Sequence, residues 1–311
     1  MTGLTHLPAL PEVSLAGTAL EDLGARTLPT LLDRTGALLI RDAGISSATT
    51  LVELATALGL SAQNQLEPFA ARRFRGHGVW SQPAWPNTSP MCMHHELGWQ
   101  QAPPPYLLIA CLRPAASGGR TGVADGRAVL PLLPAQLVKR ADRHGWSMVR
   151  RYADSLIGMP WQEAFPGLDT AAVEAYAATE GIELEWSADG LATRRHRPAV
   201  RTTGPDRVPA WSNLLAFCSE WTMAPPVREY LISALGRQGL PFETAFGDGS
   251  PFTAADVEAV NTAYDQATVY VDWRAGDVLL LDNIRTAHSV ETFTGEREMA
   301  VLHAAPLTPA H

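Results

Sequence analysis

Short apolar runs, widely separated along the chain, constrain the fold more than any other feature of the sequence. PYLLIACLRP at 105–114 is almost wholly apolar, and DVLLLDN at 277–283 and REMAVLHAA at 297–305 lie near the end of the chain. A further run, GALLIRD, lies at 36–42. Runs of this length, bounded by turn residues, are typical of buried strands. Because strands near both ends must bury their apolar faces, the sequence predicts one mixed domain in which they share a sheet or barrel.

Helices and shorter strands are predicted between these runs. A helix is expected over 47–59 with Ser47 as its N-cap, and another after Thr253, where Asp256 completes a pattern like a capping box. Further helices are predicted near 128–142, 171–181 and 227–236, strands at 145–152, 182–187 and 193–203, and an irregular segment over 60–90. No repeat or linker-like change of composition divides the chain. We therefore expect an N-terminal extension at 1–20 and a single domain over 21–311.

Charge and hydropathy exclude several classes of function. The 24 Lys and Arg residues against 32 Asp and Glu residues give a net charge of −8, and no basic run is long enough to follow a phosphate backbone. No apolar stretch reaches roughly 18 residues, and the N-terminus lacks the order of a signal peptide. We expect a cytoplasmic protein that binds neither nucleic acid nor membrane.

Cysteine and lysine usage narrows the chemistry further. Cys92, Cys111 and Cys218 contain no CxxC pair, so the sequence predicts reduced thiols rather than a disulfide framework or a thiolate zinc site. Lys139 is the only lysine and lies in a predicted helix. This disfavours Schiff-base chemistry and Walker-type phosphate loops.

The densest group of candidate metal ligands is His94-His95-Glu96. On its own the pattern is weak, because nine histidines and 32 acids in 311 residues predict about one His-x-acid pair by chance. In an extended segment residues i and i+2 share a face, so His94 and Glu96 can bind one ion while His95 points away. His288, which follows a predicted strand, is the best candidate for a third ligand. Two His and one carboxylate on one side of an ion leave three positions open, the arrangement of non-haem Fe(II) oxygenases.

Two polar residues fit an organic ligand that fills these open positions. A 2-oxo acid chelates a metal through two of them and leaves the third for oxygen. Its far carboxylate suits a planar guanidinium, and Arg297 lies nine residues after His288 on the strand expected to pair with the histidine strand. Thr121, after the strand predicted at 105–114, can add a hydroxyl donor.

This ordered set resembles the TauD/TfdA (taurine dioxygenase / clavaminate synthase-like) superfamily of Fe(II)/2-oxoglutarate-dependent oxygenases. Two segments carry the resemblance, VWSQPAWPNTSPMCMHHELGWQQAPPPYLLIACLRPAASGGRTGVAD at 79–125 and DWRAGDVLLLDNIRTAHSVETFTGEREMAV at 272–301. WSN at 211–213 and FGDGSPF at 246–252 are similar to weaker family landmarks. The resemblance covers most of residues 36–305.

The resemblance implies a mixed, mainly β fold, with a double-stranded β-helix (jelly-roll) core and flanking α-helices. By carry-over, His94 and Glu96 match the family's His-x-acid pair, and His288 matches its distal histidine. Arg297 matches the family's 2-oxoglutarate arginine, and Thr121 its threonine near the same cosubstrate. Fe(II), the cosubstrate 2-oxoglutarate and O2 are the implied cofactors, and no catalytic residue is predicted beyond the metal ligands.

The pocket beside the metal is defined less sharply. Relatives with the same Phe-x-Gly-x-Arg ending usually have Gly-Arg after the distal histidine, whereas Ser289 and Val290 stand here, so this side of the pocket is expected to differ. The candidate substrate-pocket residues are Trp99, Gln100, Asn213 and Val290. For Trp99, a place in the core is an equally good interpretation.

Several polar residues near the motifs have structural interpretations. Asp282 and Asn283 are predicted to be turn residues or to support the ligands rather than to bind metal. Asp125 is expected to fix the start of the following helix. A basic cluster in a predicted hairpin is expected to be a solvated face, with a carboxylate or phosphopantetheine contact as the alternative. Its members are Arg194, Arg195, His196, Arg197 and Arg201.

The sequence therefore predicts an Fe(II)/2-oxoglutarate-dependent dioxygenase. The expected reaction is hydroxylation of an amino-acid-like small molecule, free or tethered to a carrier protein, in specialised metabolite biosynthesis, with decarboxylation of 2-oxoglutarate to succinate. Desaturation, epoxidation or ring formation by the same cofactor chemistry is the first alternative. Halogenation is disfavoured, because the family's halogenases lack the acid that stands here as Glu96.

Two alternatives come from other classes. A zinc-dependent hydrolase could use the same two His and one Glu, but it leaves Arg297 and Thr121 without a role. A non-catalytic metabolite-binding barrel would need none of the three ligands, so their presence argues against it.

Overall fold

The structure, a computed structural model, describes residues 10–16, 28–64, 66–153, 158–188 and 190–307. Within these ranges the strands are β1 (Glu12–Ser14), β2 (Ala37–Arg41), β3 (Leu60–Ala62), β4 (Phe74–Gly76), β5 (Val79–Ser81), β6 (Met91–His94), β7 (Tyr106–Arg113), β8 (Ser117–Gly118), β9 (Thr121–Asp125), β10 (Trp146–Tyr152), β11 (Ile182–Ser187), β12 (Gly190–Arg197), β13 (Val200–Thr203), β14 (Val208–Trp211), β15 (Phe242–Phe246), β16 (Thr268–Val271), β17 (Val278–Asp282), β18 (Thr286–Val290), β19 (Phe293–Thr294) and β20 (Glu298–Pro306). The helices are α1 (Leu28–Thr35), α2 (Ala48–Ala57), α3 (Gly126–Val129), α4 (Ala135–His144), α5 (Trp161–Ala164), α6 (Thr170–Glu180), α7 (Pro225–Leu235) and α8 (Ala254–Ala267).

The four apolar runs become β2, β7, β17 and β20, which are neighbours in one sheet. Its strand order is β1-β2-β17-β7-β20-β5-β4, and β3 also pairs with β20. Most residues of these four strands are buried on both faces. Burial on both faces explains why the runs are apolar throughout rather than alternating. The prediction that strands from both ends of the chain share a sheet is confirmed.

A second sheet, with the order β16-β9-β18-β6, faces the first and is antiparallel throughout. Val123 and Val271 from this sheet pack in one buried cluster with Ile109, Leu279 and Met299 from the larger sheet. The two sheets therefore enclose a shared apolar core. Three residues of the predicted site lie on the second sheet: His94 on β6, Thr121 on β9 and His288 on β18.

A third sheet, with the order β11-β12-β10-β15, corrects the interpretation of the basic cluster. Alternation along β12 turns Arg194 and His196 to solvent but buries Arg195 and Arg197. The Arg195 guanidinium pairs with the Glu67 carboxylate at 2.6 Å, and neither side chain has any exposed surface. A solvated face is therefore wrong for Arg195 and Arg197, and the buried Glu67 carboxylate neutralises the charge of Arg195.

Helix starts follow the predicted caps, but one predicted helix is broken. The Ser47 side chain accepts a hydrogen bond from the third residue of α2, and Thr253 and Asp256 form a capping box at the start of α8. The single helix predicted near 128–142 is wrong: α3, a 3-10 turn containing Pro131 and α4 replace it, with Pro134 as the N-cap of α4. Proline lacks the N–H that a continuous helix needs at these positions.

The segment expected to be irregular contributes β3, β4 and β5 to the larger sheet, because β20 offers unpaired backbone groups along its edge. In the predicted extension, β1 pairs in parallel with β2, whereas residues 1–9 and 17–20 lie outside the described residues. The boundary at residue 20 therefore stays a prediction. None of the described helices combines the length and the apolar character that crossing a bilayer requires.

Candidate active site

Three potential metal ligands converge where β6 and β18 pair. The antiparallel register sets His94 directly opposite His288. One ligand atom from each of His94, Glu96 and His288 lies within 4.8 Å of the others, and all three residues are buried. This is the one group of its kind in the described part of the chain. The fold thus brings together the three residues singled out from the sequence.

Glu96 lies just beyond the end of β6, and Asn283 fixes its backbone. The Asn283 Oδ1 atom accepts a hydrogen bond from the Glu96 N–H at 2.8 Å, and its Nδ2 donates to the carbonyl oxygens of Glu96 and Pro104 at 2.8 and 2.9 Å. The His95 ring bonds through Nδ1 to the Asn283 carbonyl at 2.9 Å. Since β6 ends at His94, extended backbone alone does not explain where the Glu96 carboxylate lies. The hydrogen bonds of the Asn283 amide, in addition to the i, i+2 spacing of His94 and Glu96, determine where Glu96 lies.

Burial and neighbouring charges set the protonation of the three ligands. Burial lowers the pKa of His94 and lowers that of His288 more strongly, so both rings are neutral at neutral pH. The His94 Nδ1 bonds to the Cys92 carbonyl at 2.8 Å, which leaves the Nε2 lone pair for a metal. Burial by itself raises the pKa of Glu96, but the Arg72 guanidinium, followed by contacts with His303 and His94, outweighs it and holds this pKa well below its usual value. The cluster therefore offers two neutral nitrogens and one carboxylate.

Two residues that the sequence did not single out approach the Glu96 carboxylate. The Arg72 Nη2 donates to both carboxylate oxygens, at 3.0 and 2.8 Å, and the Arg72 side chain is 2 % exposed. His303 is fully buried on β20, with its Nε2 3.7 Å from the Glu96 Oε1. No local sequence pattern links Arg72 or His303 to His94 and Glu96. Only the pairing of distant strands reveals them.

A second cation, Arg297, is partly buried and has no acidic partner among the described residues. Its Nη1 donates to the Gln82 Oε1 at 2.7 Å, and its Nη2 lies 3.5 Å from the Thr121 Oγ1. The Trp273 Nε1 donates to the same Thr121 oxygen at 3.0 Å, which leaves the hydroxyl proton of Thr121 available for another acceptor. Burial lowers the pKa of Arg297 to about 10, and no carboxylate of the described residues forms an ion pair with it. The arrangement suits an anion that supplies the missing charge.

A cavity of about 890 Å³ is lined by both arginines. Arg72 reaches the metal-ligand cluster through Glu96, and Arg297 lines the same space. Gln82, Trp85 and other residues of the β5–β6 connection complete part of the wall. The cavity therefore has room for organic molecules between two guanidinium groups.

The four residues proposed from the sequence as a substrate pocket lie elsewhere. Trp99 is 1 % exposed and belongs to an apolar core cluster. Gln100 and Asn213 hydrogen-bond to backbone groups, and Val290 on β18 lies opposite Thr121 on β9. None of the four is among the described residues that line the cavity of Arg297. Their contact with substrate stays a prediction.

An aromatic wall covers one side of the cluster. The Phe217 ring stacks on the His94 ring with 4.6 Å between the centroids. Phe69 packs against Phe217 at 4.8 Å, against Phe242 at 5.5 Å and against Trp85 at 5.7 Å. These rings limit the access of water to the face of His94.

Two acidic residues near the motifs have structural roles, as expected from the sequence. Asp125 accepts a hydrogen bond from the Arg127 N–H at the start of α3 and pairs with the Arg285 guanidinium. The Asp282 Oδ1 accepts from the backbone N–H groups of Ile284 and Arg285, both at 3.1 Å. These contacts fix the turn that leads from β17 into the strand of His288.

Comparison with known proteins gives the family. The model of the "Taurine catabolism dioxygenase TauD, TfdA family" matches residues 4–303. The chain is 29 % identical over 307 residues to the dapdiamide synthesis protein DdaC of Enterobacter agglomerans, a match covering 96 % of this chain and 93 % of DdaC. It is similar to the crystal structure of PvcB from Pseudomonas aeruginosa, with a TM-score of 0.55 and 17 % identity over 96 % of this chain and 89 % of PvcB. A structure of asparagine oxygenase gives a TM-score of 0.55 and 14 % identity over 92 % of this chain and 79 % of that one.

The family match spans nearly the whole chain, so it includes the ligand cluster, the Arg297 site and the two facing sheets. The resemblance seen in the two sequence motifs is confirmed, as is the expectation of a dioxygenase that uses iron, 2-oxoglutarate and O2. The chain belongs to the TauD/TfdA family of Fe(II)/2-oxoglutarate-dependent dioxygenases.

Proposed function

We propose that this chain is a cytoplasmic enzyme that hydroxylates an amino-acid-like small molecule in the biosynthesis of a specialised metabolite. His94, Glu96 and His288 hold the iron. The observation that carries the proposal is the convergence of their ligand atoms within 4.8 Å in a buried cluster. Two neutral nitrogens and one carboxylate on one side fit a divalent iron that keeps three positions open.

Arg297 and Thr121 bind the far carboxylate of 2-oxoglutarate in this proposal. The support is a partly buried guanidinium without an acidic partner among the described residues, kept in place by Gln82, beside a hydroxyl whose proton is free to be donated. A carboxylate in this position neutralises Arg297, and two donors of fixed geometry orient it.

Bound iron and 2-oxoglutarate supply the oxidation, in which one atom of O2 enters succinate, the other enters the substrate C–H bond, and carbon dioxide leaves. The residues of the chain orient and shield the reactants. Asn283 fixes the Glu96 backbone, and Arg72 holds the Glu96 carboxylate. Phe217 covers the His94 ring and excludes bulk water from that side.

The substrate class is proposed from the relatives. DdaC is a dapdiamide synthesis protein, and PvcB is described as an Fe, alpha-ketoglutarate dependent oxygenase from an isonitrile synthetic pathway. The asparagine oxygenase structure contains 3-hydroxyasparagine and succinate. The asparagine oxygenase supports an amino-acid-like substrate and hydroxylation as the outcome, and we propose that this substrate is either free or tethered to a carrier protein. Desaturation, epoxidation or ring formation remains the alternative within the same chemistry, whereas family membership argues against a zinc-dependent hydrolase.

We also propose that the two facing sheets form a double-stranded β-helix (jelly-roll) core, within one domain over residues 21–311 preceded by an extension at 1–20. The support is the pairing of β2-β17-β7-β20 opposite β16-β9-β18-β6 across one buried cluster. In such a core the ligand-bearing strands lie at one open end, where substrate enters.

Anaerobic titration of the metal-free protein with Fe(II) and then 2-oxoglutarate tests the proposed function. We expect a visible metal-to-ligand charge-transfer band that saturates at one equivalent of each, because the oxo acid chelates the metal. A screen of free and carrier-tethered amino acids for succinate release then identifies the substrate. Fe(II) binding without the band, or binding of zinc alone, would refute the proposal.

A further inference from the structure

The cavity that contains Arg297 has more positive than negative charge on its wall. Arg73, Arg75 and Arg113 pair with glutamates of the same wall. Arg297 has no acidic partner among the described residues and is the proposed 2-oxoglutarate site. Arg72 remains, and its partner is the metal ligand Glu96. The cavity therefore has one guanidinium more than the metal and the cosubstrate require.

Arg72 carries hydrogen-bond donors that the described residues do not satisfy. Its Nη2 contacts Glu96, but its Nε and Nη1 have no hydrogen-bond partner among the described residues. The side chain is only 2 % exposed, so these donors lie in the interior beside the cavity. Unpaired charged donors are costly in such a place. When Glu96 binds iron, its negative charge is shared between the metal and Arg72. The positive charge of Arg72 is then only partly neutralised.

We infer that Arg72 binds a carboxylate of the primary substrate and so holds that group beside the ligand Glu96. The inference rests on the proposed function and narrows the substrate class to free acids. A substrate tethered to a carrier protein through its carboxyl group presents an uncharged thioester, which a guanidinium does not bind as an ion pair. The free amino-acid-like acid is therefore the substrate form that Arg72 selects.

The aromatic wall suits the rest of such a substrate. Trp85 lines the cavity and is 41 % exposed, and Phe69 connects it to Phe217 on the His94 ring. An apolar surface thus extends from the cavity to a metal ligand, with Arg72 also lining the cavity. A molecule with a carboxylate at one end and C–H bonds beyond it fits both features.

Buried hydrogen bonds hold the loop that carries Arg72 before any ligand binds. Glu67, five residues earlier, has a left-handed φ of 56°. Its buried carboxylate accepts hydrogen bonds from Arg195 at 2.6 and 3.0 Å, from Tyr152 at 2.5 Å and from Tyr176 at 3.0 Å. These bonds hold the unusual backbone conformation. A loop fixed in this way loses little conformational entropy when Arg72 binds an anion.

Calorimetric titration of the anaerobic Fe(II)–2-oxoglutarate complex tests the inference. The probes are propionate and benzoate, each compared with its uncharged amide. Saturating 2-oxoglutarate occupies Arg297, so a carboxylate that binds must use another cation. The variants are Arg72→Gln and Arg72→Lys. Arg73→Gln is the matched control, because Arg73 borders the same cavity but its side chain is 72 % exposed.

We expect wild type and Arg73→Gln to bind the carboxylates about tenfold or more tightly than the amides, since one charged hydrogen-bonded pair accounts for at least that factor. Arg72→Gln should lower Fe(II) affinity, because Arg72 no longer holds Glu96. In samples whose charge-transfer band shows that Fe(II) and 2-oxoglutarate are bound, it should abolish the difference between acids and amides. Arg72→Lys should restore part of it, because an ammonium keeps the charge but not the planar fork.

Three results would overturn the inference and leave the proposed function intact, provided that the charge-transfer band still forms. In the first, the wild-type protein binds acids and amides equally well. In the second, Arg72→Gln still prefers acids. In the third, Arg72→Gln keeps the preference for acids and loses 2-oxoglutarate affinity. If the band does not form in the wild-type protein, the proposed function fails and the inference fails with it.

Discussion

Replacing Asn283 by alanine tests how the carboxylate ligand is held. The Asn283 side chain accepts a hydrogen bond from Glu96 and donates to Glu96 and Pro104, at 2.8, 2.8 and 2.9 Å. The residue is 1 % exposed, so solvent does not replace these bonds. Asn283→Ala therefore leaves one N–H and two carbonyl groups with a lost partner in the protein interior.

Two magnitudes follow from this geometry. Each lost hydrogen bond costs about 1 kcal/mol, so we expect the free energy of unfolding of the metal-free protein to fall by about 3 kcal/mol. Glu96 also loses the contacts that fix it relative to the two histidines. Removing a residue that orients a metal ligand typically lowers metal affinity by roughly 10- to 100-fold. We expect the Fe(II) affinity of Asn283→Ala to fall by that factor.

Urea unfolding of the metal-free protein measures the first effect, and anaerobic Fe(II) competition against a chelator measures the second. Asn213→Ala is the control: Asn213 is 4 % exposed and makes two backbone hydrogen bonds at 2.9 and 3.1 Å. It should cost about 2 kcal/mol of stability and leave Fe(II) affinity unchanged. If Asn283→Ala is destabilised as expected but binds Fe(II) like the wild type, the amide does not position Glu96 and the reasoning is refuted.

Four further substitutions test the ligands, the cosubstrate site and the buried core. His94→Ala should abolish Fe(II) binding whereas His95→Ala should keep the wild-type iron content in metal analysis, and the reverse order would contradict the ligand assignment. Arg297→Ala should bind Fe(II) but need roughly 30-fold more 2-oxoglutarate to form the visible band, and an unchanged requirement would move the anion site to another arginine. Burial raises the pKa of Glu67, but Arg195 outweighs it and lowers the pKa from 4.5 to about 2. Glu67 thus contributes stability above pH 4.5 that is lost as the pH falls toward 2, so Glu67→Gln should flatten the acid-induced drop in melting temperature, and an equally steep drop would contradict this role.

The ligands and Arg297 could be predicted because short local patterns carry them. His94 and Glu96 are two positions apart, and Arg297 lies nine residues after His288. The expected pairing of their strands is wrong, because β18 pairs with β6 and β9, whereas Arg297 directly precedes β20, which pairs with β3, β5 and β7. The caps of α2 and α8 were predictable from local patterns too, since a hydroxyl bonds to a backbone N–H three residues ahead within one turn. Sites and helix caps that depend on residues close together in the sequence can therefore be predicted from the sequence alone.

The contacts to Glu96 were not predictable, because they depend on pairing between distant segments. Arg72 comes from a stretch with no helical or strand period, and its Nη2 meets Glu96 only after β4 and β5 join the edge of β20. Asn283 was expected to support the ligands, but which backbone groups it bonds follows from the meeting of the β17–β18 turn with the end of β6. The basic cluster was expected to be a solvated face, and the sequence does not reveal that Glu67 pairs with Arg195 on the buried face of β12.

The balance of charge in the site argues for a substrate anion independently of hydrogen bonding. Arg72 and Glu96 neutralise each other before metal binds, and the histidine ligands are neutral because burial lowers their pKa. Adding Fe(II) contributes two positive charges, Arg297 contributes one, and dianionic 2-oxoglutarate removes two. One positive charge is then left in a buried site, where an uncompensated charge is unfavourable. For a substrate without a cationic group of its own, a carboxylate on Arg72 cancels this charge, whereas an uncharged thioester leaves it in place.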